Sequence, residues 1–143
     1  YSSFVILTWV WQKYVLKNRE KKKIIVCDEA WLFLKYQESA DFLVNVARAG
    51  RKYNVPLFFG SQFIDEFLSS EERKNHYKYM STRYLFKQSP GSVDEVVNFF
   101  NLSEGTKNFL TAATPGQCVI SLNNTVTAIK FIITKYEETF VFT

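Results

Sequence analysis

Short apolar runs alternate with amphipathic stretches along this 143-residue chain, and that alternation predicts strands interleaved with helices. Residues 3–18 are apolar almost all round, which predicts a buried helix. Residues 23–27 form a short continuous apolar run, as a strand covered on both faces does. Over 38–53, Phe42, Val46, Ala49 and Tyr53 recur at helical spacing and define one stripe of a second helix. Val55 to Gly60, entered through Pro56, reads as a second apolar strand.

Farther along, residues 63–68 read as a helical turn, and Ser69-Ser70-Glu71-Glu72 offers a capping box for a helix over 71–80. Arg83 to Lys87 is a third strand. Ser92 and Glu95 form another capping box for a helix over 93–100, and Ser103 caps one over 104–112 despite Gly105. Pro115-Gly116 turns the chain into a closing hairpin of 117–122 and 125–134. Asn123-Asn124 is its two-residue turn, because asparagine tolerates positive φ. The order predicts an α/β domain with a mostly parallel sheet, helices on both faces and a C-terminal β-hairpin. In such sheets ligands bind at the carboxyl ends of the strands.

Composition adds that 47% hydrophobic and 17% aromatic residues can fill a substantial core, which excludes disorder as the default. Fourteen phenylalanines and eight tyrosines exceed what a minimal core requires, so some are expected to cover surfaces that meet further sequence or a partner. The net charge of +4 gives nucleic acid or phosphate only weak support, and the Arg19 to Lys23 cluster reads as a solvated loop. Cys27 and Cys118 lie inside apolar runs and read as small buried residues of a reducing compartment. The single His76 has no metal-ligand spacing around it. The apolar run from Phe4 to Val10 falls well short of the roughly 20 residues of a membrane span. It also lacks the flanks of a signal peptide. A chain that begins in mid-helix without methionine is expected to be part of something longer, so residues 1–143 read as a single partial domain.

Three groups carry candidate chemistry. Ile24-Ile25-Val26-Cys27 ends in Asp28-Glu29, so two carboxylates emerge at the edge of an apolar strand and need a cation, a hydrogen-bonding partner or water. A nucleotide-hydrolysing site would use Asp28 on the water shell of Mg²⁺ and Glu29 to orient the attacking water. Acids before a turn are also ordinary strand endings. Arg48, Arg51 and Lys52 share one helical face, suited either to solvent or to the phosphates of a nucleotide held by a neighbouring subunit. Gln62 follows the second strand directly, where an amide can orient water or satisfy a loop.

CDEAW, followed by FLVNVARAGRKYNVPLFFGSQFIDEFL, resembles the large ATPases of type IV secretion and conjugation machines, the VirB-four/TraC class. That class shows a strand ending in DEAW, a helix with RxxRK, and a strand ending in Gln, in this order. The match is good over residues 20–90 and one of layout beyond Ser92. It implies part of a RecA-like P-loop NTPase domain that hydrolyses ATP with Mg²⁺ at the subunit interfaces of a hexamer. Asp28 and Glu29 match its Walker B pair, Asp28 reaching the metal through water. Gln62 matches the sensor glutamine, and Arg48, Arg51 and Lys52 the basic motif that approaches a neighbour's nucleotide. Trp31 stands where the class also carries an aromatic, and reads as packing. The class implies a cytoplasmic motor held at the inner membrane by other secretion subunits, with DNA binding open.

One departure is large: no GxxxxGK[ST] occurs. Gly105-Thr106-Lys107 lacks both the first glycine and the Gly-Lys-Ser/Thr order. In the class that loop lies well upstream, so this chain alone is expected to bind nucleotide weakly and to be inactive. Two other readings stand beside the secretion motor. One is a DNA-pumping ATPase of the HerA/FtsK or coupling-protein type, and the other is a non-catalytic interaction module derived from such an ATPase.

Overall fold

The structure, a computed structural model, describes residues 2–62, 64, 80–123 and 125–141; the side chains at 2, 3, 34, 51 and 141 lie outside that description. The chain forms two compact units, Tyr1–Met80 and Ser81–Thr143.

In the first unit, helix α1 (Ser2–Val10) widens into a π-helical segment, Trp11–Val15, and then tightens to 3₁₀ over Leu16–Asn18. The expected helix over 3–18 is therefore present in irregular form. Its expected burial is not: Leu7 and Val15 are buried, whereas Val5, Ile6 and Trp9 are half or more exposed. Among the described residues, one line of the helix meets the rest of the unit, where Phe4 and Trp11 each set an edge on the Phe42 ring. An all-round apolar sequence does not by itself supply neighbours on every side.

Strand β1 (Ile25–Cys27) pairs in parallel with β2 (Leu57–Phe59), Ile25 opposite Leu57 and Cys27 opposite Phe59. Between them run a short helix α2 (Trp31–Leu34), helix α3 (Gln37–Ala49) and a 3₁₀ turn, Gly50–Tyr53. Helix α3 buries Ser39, Ala40, Leu43 and Val46, so the core stripe lies one step round from the expected one. Leu7, Cys27, Ala30, Ala40 and Leu43 form the centre of the core, with Ile25, Trp31, Phe33, Phe42, Leu57 and Phe59 packed around it. Leu43, 2% exposed, contributes about 2 kcal/mol by burial.

The expectation that these strands are covered on both faces is corrected. Alternate residues point to opposite sides of a strand, and among the described residues it is the Ile25, Cys27, Leu57 and Phe59 side that packs on the core beneath the helices. On the other side Ile24 and Val26 are 66% and 69% exposed and Phe58 is half exposed. The helices expected over 63–68 and 71–80 fall outside the described residues, apart from Ile64 and Met80.

In the second unit, β3 (Thr82–Leu85), β4 (Gln117–Leu122) and β5 (Thr125–Lys130) form an antiparallel sheet in the order β3-β4-β5. The expected single, mostly parallel sheet is thus corrected: one sheet is parallel, and the third strand pairs with the hairpin instead. An antiparallel partner needs no crossover, and β3 finds one in β4, with Thr82 opposite Leu122 and Leu85 opposite Val119.

Helix α4 (Val93–Phe100) begins at Ser92 without the expected side-chain cap; Ser89 Oγ instead accepts from the Ser92 amide at 3.3 Å. Helix α5 (Glu104–Ala112) is capped as expected, Ser103 Oγ accepting from the Thr106 amide at 3.2 Å. Lys107 ties the two helices together, its Nζ 2.7 Å from Asp94 Oδ1. The hairpin's second strand ends at Lys130, earlier than expected, although the Phe131 amide still donates to the Gly116 carbonyl at 2.8 Å in the same register. Helix α6 (Lys135–Val141) follows.

Candidate catalytic site

The site sits at the carboxyl ends of β1 and β2. Their ladder continues past the strands: the Gly60 amide donates to the Cys27 carbonyl at 2.9 Å and the Ala30 amide to the Gly60 carbonyl at 2.8 Å. Asp28 and Glu29 are thereby clasped against Gly60. A Cβ on Gly60 would stand 2.9 Å from Asp28 Oδ1, so any larger residue there would push the Asp28 carboxylate aside. Gly60 does not stand out in the sequence, although a glycine closing an apolar strand is the available signal.

Asp28 is exposed, and its Oδ1 accepts from the Glu29 amide at 3.0 Å. Glu29 is half-buried and adopts φ +49°. The other described non-glycine residues with positive φ are Asn54, Asn101 and Asn123, the type that visits this region readily. A glutamate there is unusual, and it costs about 1 kcal/mol that the surroundings must offset. They do so through both carboxylate oxygens. Gln62 Nε2 donates to Glu29 Oε1 at 2.7 Å, and Trp31 Nε1 donates to Oε2 at 2.7 Å. The arrangement brings Asp28, Glu29 and Gln62 together, as expected. It also recruits Trp31, which the sequence suggests only for packing.

Next to the pair, Cys27 is 6% exposed and burial pushes its thiol up from the ordinary 9.0, so it is an inert core group.

The basic trio lies elsewhere. Helix α3 runs back along the strands, and its end reaches their amino-terminal edge, where the Val55 amide donates to the Gly50 carbonyl at 2.9 Å and the Lys23 amide to the Asn54 carbonyl at 3.1 Å. From Lys23 to Asp28 a strand covers roughly 16 Å. Arg48 is exposed on the last turn of α3, and Lys52 sets its Nζ 5.7 Å from the Tyr53 ring centre, in the 3₁₀ turn. The side chain of Arg51 lies outside the described residues. Arg48 and Lys52 are therefore not gathered with Asp28 and Glu29 within this chain.

A divalent cation fits here in one way. Among the described residues there is no cluster of three or more metal-ligating side chains. A single exposed carboxylate suits Mg²⁺, which keeps most of its waters and takes the remaining oxygens from substrate phosphates. Asp28, exposed at the end of β1, would be the carboxylate to serve it.

Residues 2–140 match the pattern of the AAA-like domain family. The chain belongs to that family. The structure of VirB4 from Thermoanaerobacter pseudethanolicus matches this AAA-like chain with a TM-score of 0.84 and 25% identity, over 94% of the chain and 37% of VirB4. VirB4 is of the class that the CDEAW, RxxRK and Gln residues resemble. The genome packaging NTPase B204 of Sulfolobus turreted icosahedral virus 2, solved with AMPPCP, shares the fold with a TM-score of 0.70 and 16% identity, over 91% of the chain and 62% of B204. An uncharacterised protein, YddE of Bacillus subtilis (strain 168), is 26% identical over 104 residues, 71% of the chain and 12% of YddE. The chain thus spans well under half the length of VirB4 and about an eighth of YddE. None of the helices among the described residues is long and apolar enough to cross a membrane.

Proposed function

We propose that this chain is the water-activating part of a RecA-like ATP-hydrolysing motor subunit of a type IV secretion or conjugative transfer system. The observation that carries the reading is the Glu29 carboxylate, held at a strand's carboxyl end by Gln62 and set directly beside Asp28. Membership of the AAA-like family and the likeness to VirB4 support the ATPase and the secretion system respectively.

In this reading Glu29 accepts a proton or hydrogen bond from the attacking water, and its fixed carboxylate aims that water at the terminal phosphate. Gln62 keeps its amide oxygen as an acceptor while its nitrogen holds Glu29, so it can touch water without releasing the base. Asp28 holds the water shell of Mg²⁺, which when bound neutralises phosphate charge. Arg48, Arg51 and Lys52, a strand's length away, act on the nucleotide of a neighbouring copy in a ring, a hexamer by analogy with the class. The phosphate-binding loop, which the sequence lacks, belongs to the rest of the full-length protein. The subunit works in the cytoplasm against other secretion subunits.

The test is Mg²⁺-dependent ATP turnover of the full-length protein, with Asp28→Asn, and with Arg48→Ala and Glu29→Gln protomers alone and mixed in equal amounts. Asp28→Asn should raise the Mg²⁺ concentration needed for half-maximal turnover by about tenfold or more. Each of the other two variants should be nearly inactive alone, and their mixed rings should recover up to about a quarter of wild-type turnover, because an intact Glu29 then meets a neighbour's intact Arg48. A Mg²⁺ requirement unmoved by Asp28→Asn would remove the metal role, and mixed rings no more active than the separate variants would remove the action in trans.

A further inference from the structure

We propose that Trp31 is a positioning residue for Glu29, its indole N–H setting the direction of the water-activating carboxylate. The inference rests on Glu29 being the group that activates water, and it goes beyond that reading by assigning a role to a side chain two residues away.

The two donors to Glu29 come from different places. Gln62 approaches from the chain that leaves β2 and holds Oε1; Trp31 opens α2 and holds Oε2. One donor leaves a carboxylate free to rotate about its last torsion, whereas two donors on different oxygens fix its plane. Each oxygen still has a second lone pair, so the clamp leaves acceptor sites for a water. Both contacts at 2.7 Å are short for N–H···O and carry the added strength of an ionised acceptor.

Trp31 can do this because its ring is anchored. It packs on the core of Cys27, Ala30, Ala40 and Leu43, and its carbonyl accepts from the Lys35 amide at 3.0 Å. Its indole N–H must find an acceptor when it leaves water, and the positive φ of Glu29 swings that carboxylate back to meet it. In an extended strand, side chains two apart share a face but stand nearly two rises apart, roughly 7 Å. The left-handed residue closes that distance. Packing alone would be served as well by phenylalanine, so the nitrogen is the part of Trp31 that packing does not require.

The experiment replaces Trp31 in the full-length ATPase by β-(3-benzothienyl)alanine, which keeps the shape of the ring and puts sulfur where the N–H was. Trp31→Phe and Glu29→Gln are measured alongside. The expected result is a fall in kcat of about 10- to 100-fold for the benzothienyl protein, with KM for ATP within about twofold and an unchanged melting temperature. Trp31→Phe should show the same split per folded molecule, and adding it to Glu29→Gln should cause no further loss, because both act through one carboxylate. If Glu29→Gln abolishes turnover but both Trp31 replacements keep kcat within about twofold, Trp31 is a packing residue and the inference is overturned. If KM or melting temperature changes while kcat per folded molecule does not, the same conclusion holds. If Glu29→Gln itself retains turnover, the role given to Glu29 fails first.

Discussion

At the scale of single residues, the site depends on how Glu29 is held. Gln62→Ala removes one of two anchors and should lower the kcat of the full-length ATPase by about tenfold or more, with nucleotide binding little changed. Steady-state turnover beside equilibrium binding of a fluorescent ATP analogue separates the two effects. Cys27 and Cys118, both buried with their thiols pushed up by desolvation, should resist iodoacetamide at neutral pH far longer than a free thiol. Intact-protein mass spectrometry of the folded and the denatured protein reads this directly. Part of the candidate site's geometry was legible in the sequence: Asp28-Glu29 stands at a strand end, and Gln62 after the next strand reaches Glu29. Trp31 was not, because its reach to Glu29 depends on a backbone angle of +49° that no periodicity records. Gly60 was hidden for a similar reason, since what it does is leave free the space where a Cβ would meet Asp28 Oδ1 at 2.9 Å.

Among the elements, sequence patterns succeeded where one local rule dominates. The hairpin turns at Asn123 with φ +54°, and Ser103 caps its helix, both from short-range chemistry visible in a few residues. They failed where tertiary neighbours decide, as in the exposed face of α1 and the antiparallel pairing of β3. Gly116 carries φ +83°, and a Cβ there would stand 2.9 Å from the Phe131 carbonyl oxygen. Gly116→Ala should therefore destabilise the chain by about 1–2 kcal/mol or more, measured as a lower denaturant midpoint. Leu43→Ala empties the centre of the core under α3 and should cost about 2–5 kcal/mol by the same measurement.

Helix α6 has a pH-dependent start. Glu137 Oε2 accepts from Thr134 Oγ1 at 2.7 Å and from the Thr134 amide at 2.9 Å, and these bonds hold its carboxyl below the ordinary 4.5. A depressed folded-state pKa stabilises the helix above the unfolded value, and that stability is lost as pH falls through the folded value. Amide exchange over 135–141 should therefore speed up as pH drops below about 4.5, beyond the intrinsic trend, and Glu137→Gln should weaken that extra dependence.

On the scale of the whole molecule, the chain is an AAA-like domain whose carboxylate site and basic motif sit at opposite edges of one parallel sheet. That separation was not legible in the sequence. Spacing placed Arg48, Arg51 and Lys52 on a common face but could not say which end of the sheet the face approaches. The turn at Gly50–Tyr53, returning the chain to the start of β2, decides it. Under the proposed function, each copy's basic edge would serve the next copy's nucleotide in a ring. In the proposed function Glu29 activates the water that cleaves ATP. ATP turnover and nucleotide affinity of the full-length Glu29→Gln protein, measured side by side, decide whether it does. The expected result is a fall in kcat of about 100-fold or more with affinity within about threefold of wild type. Turnover within about twofold of wild type would contradict it.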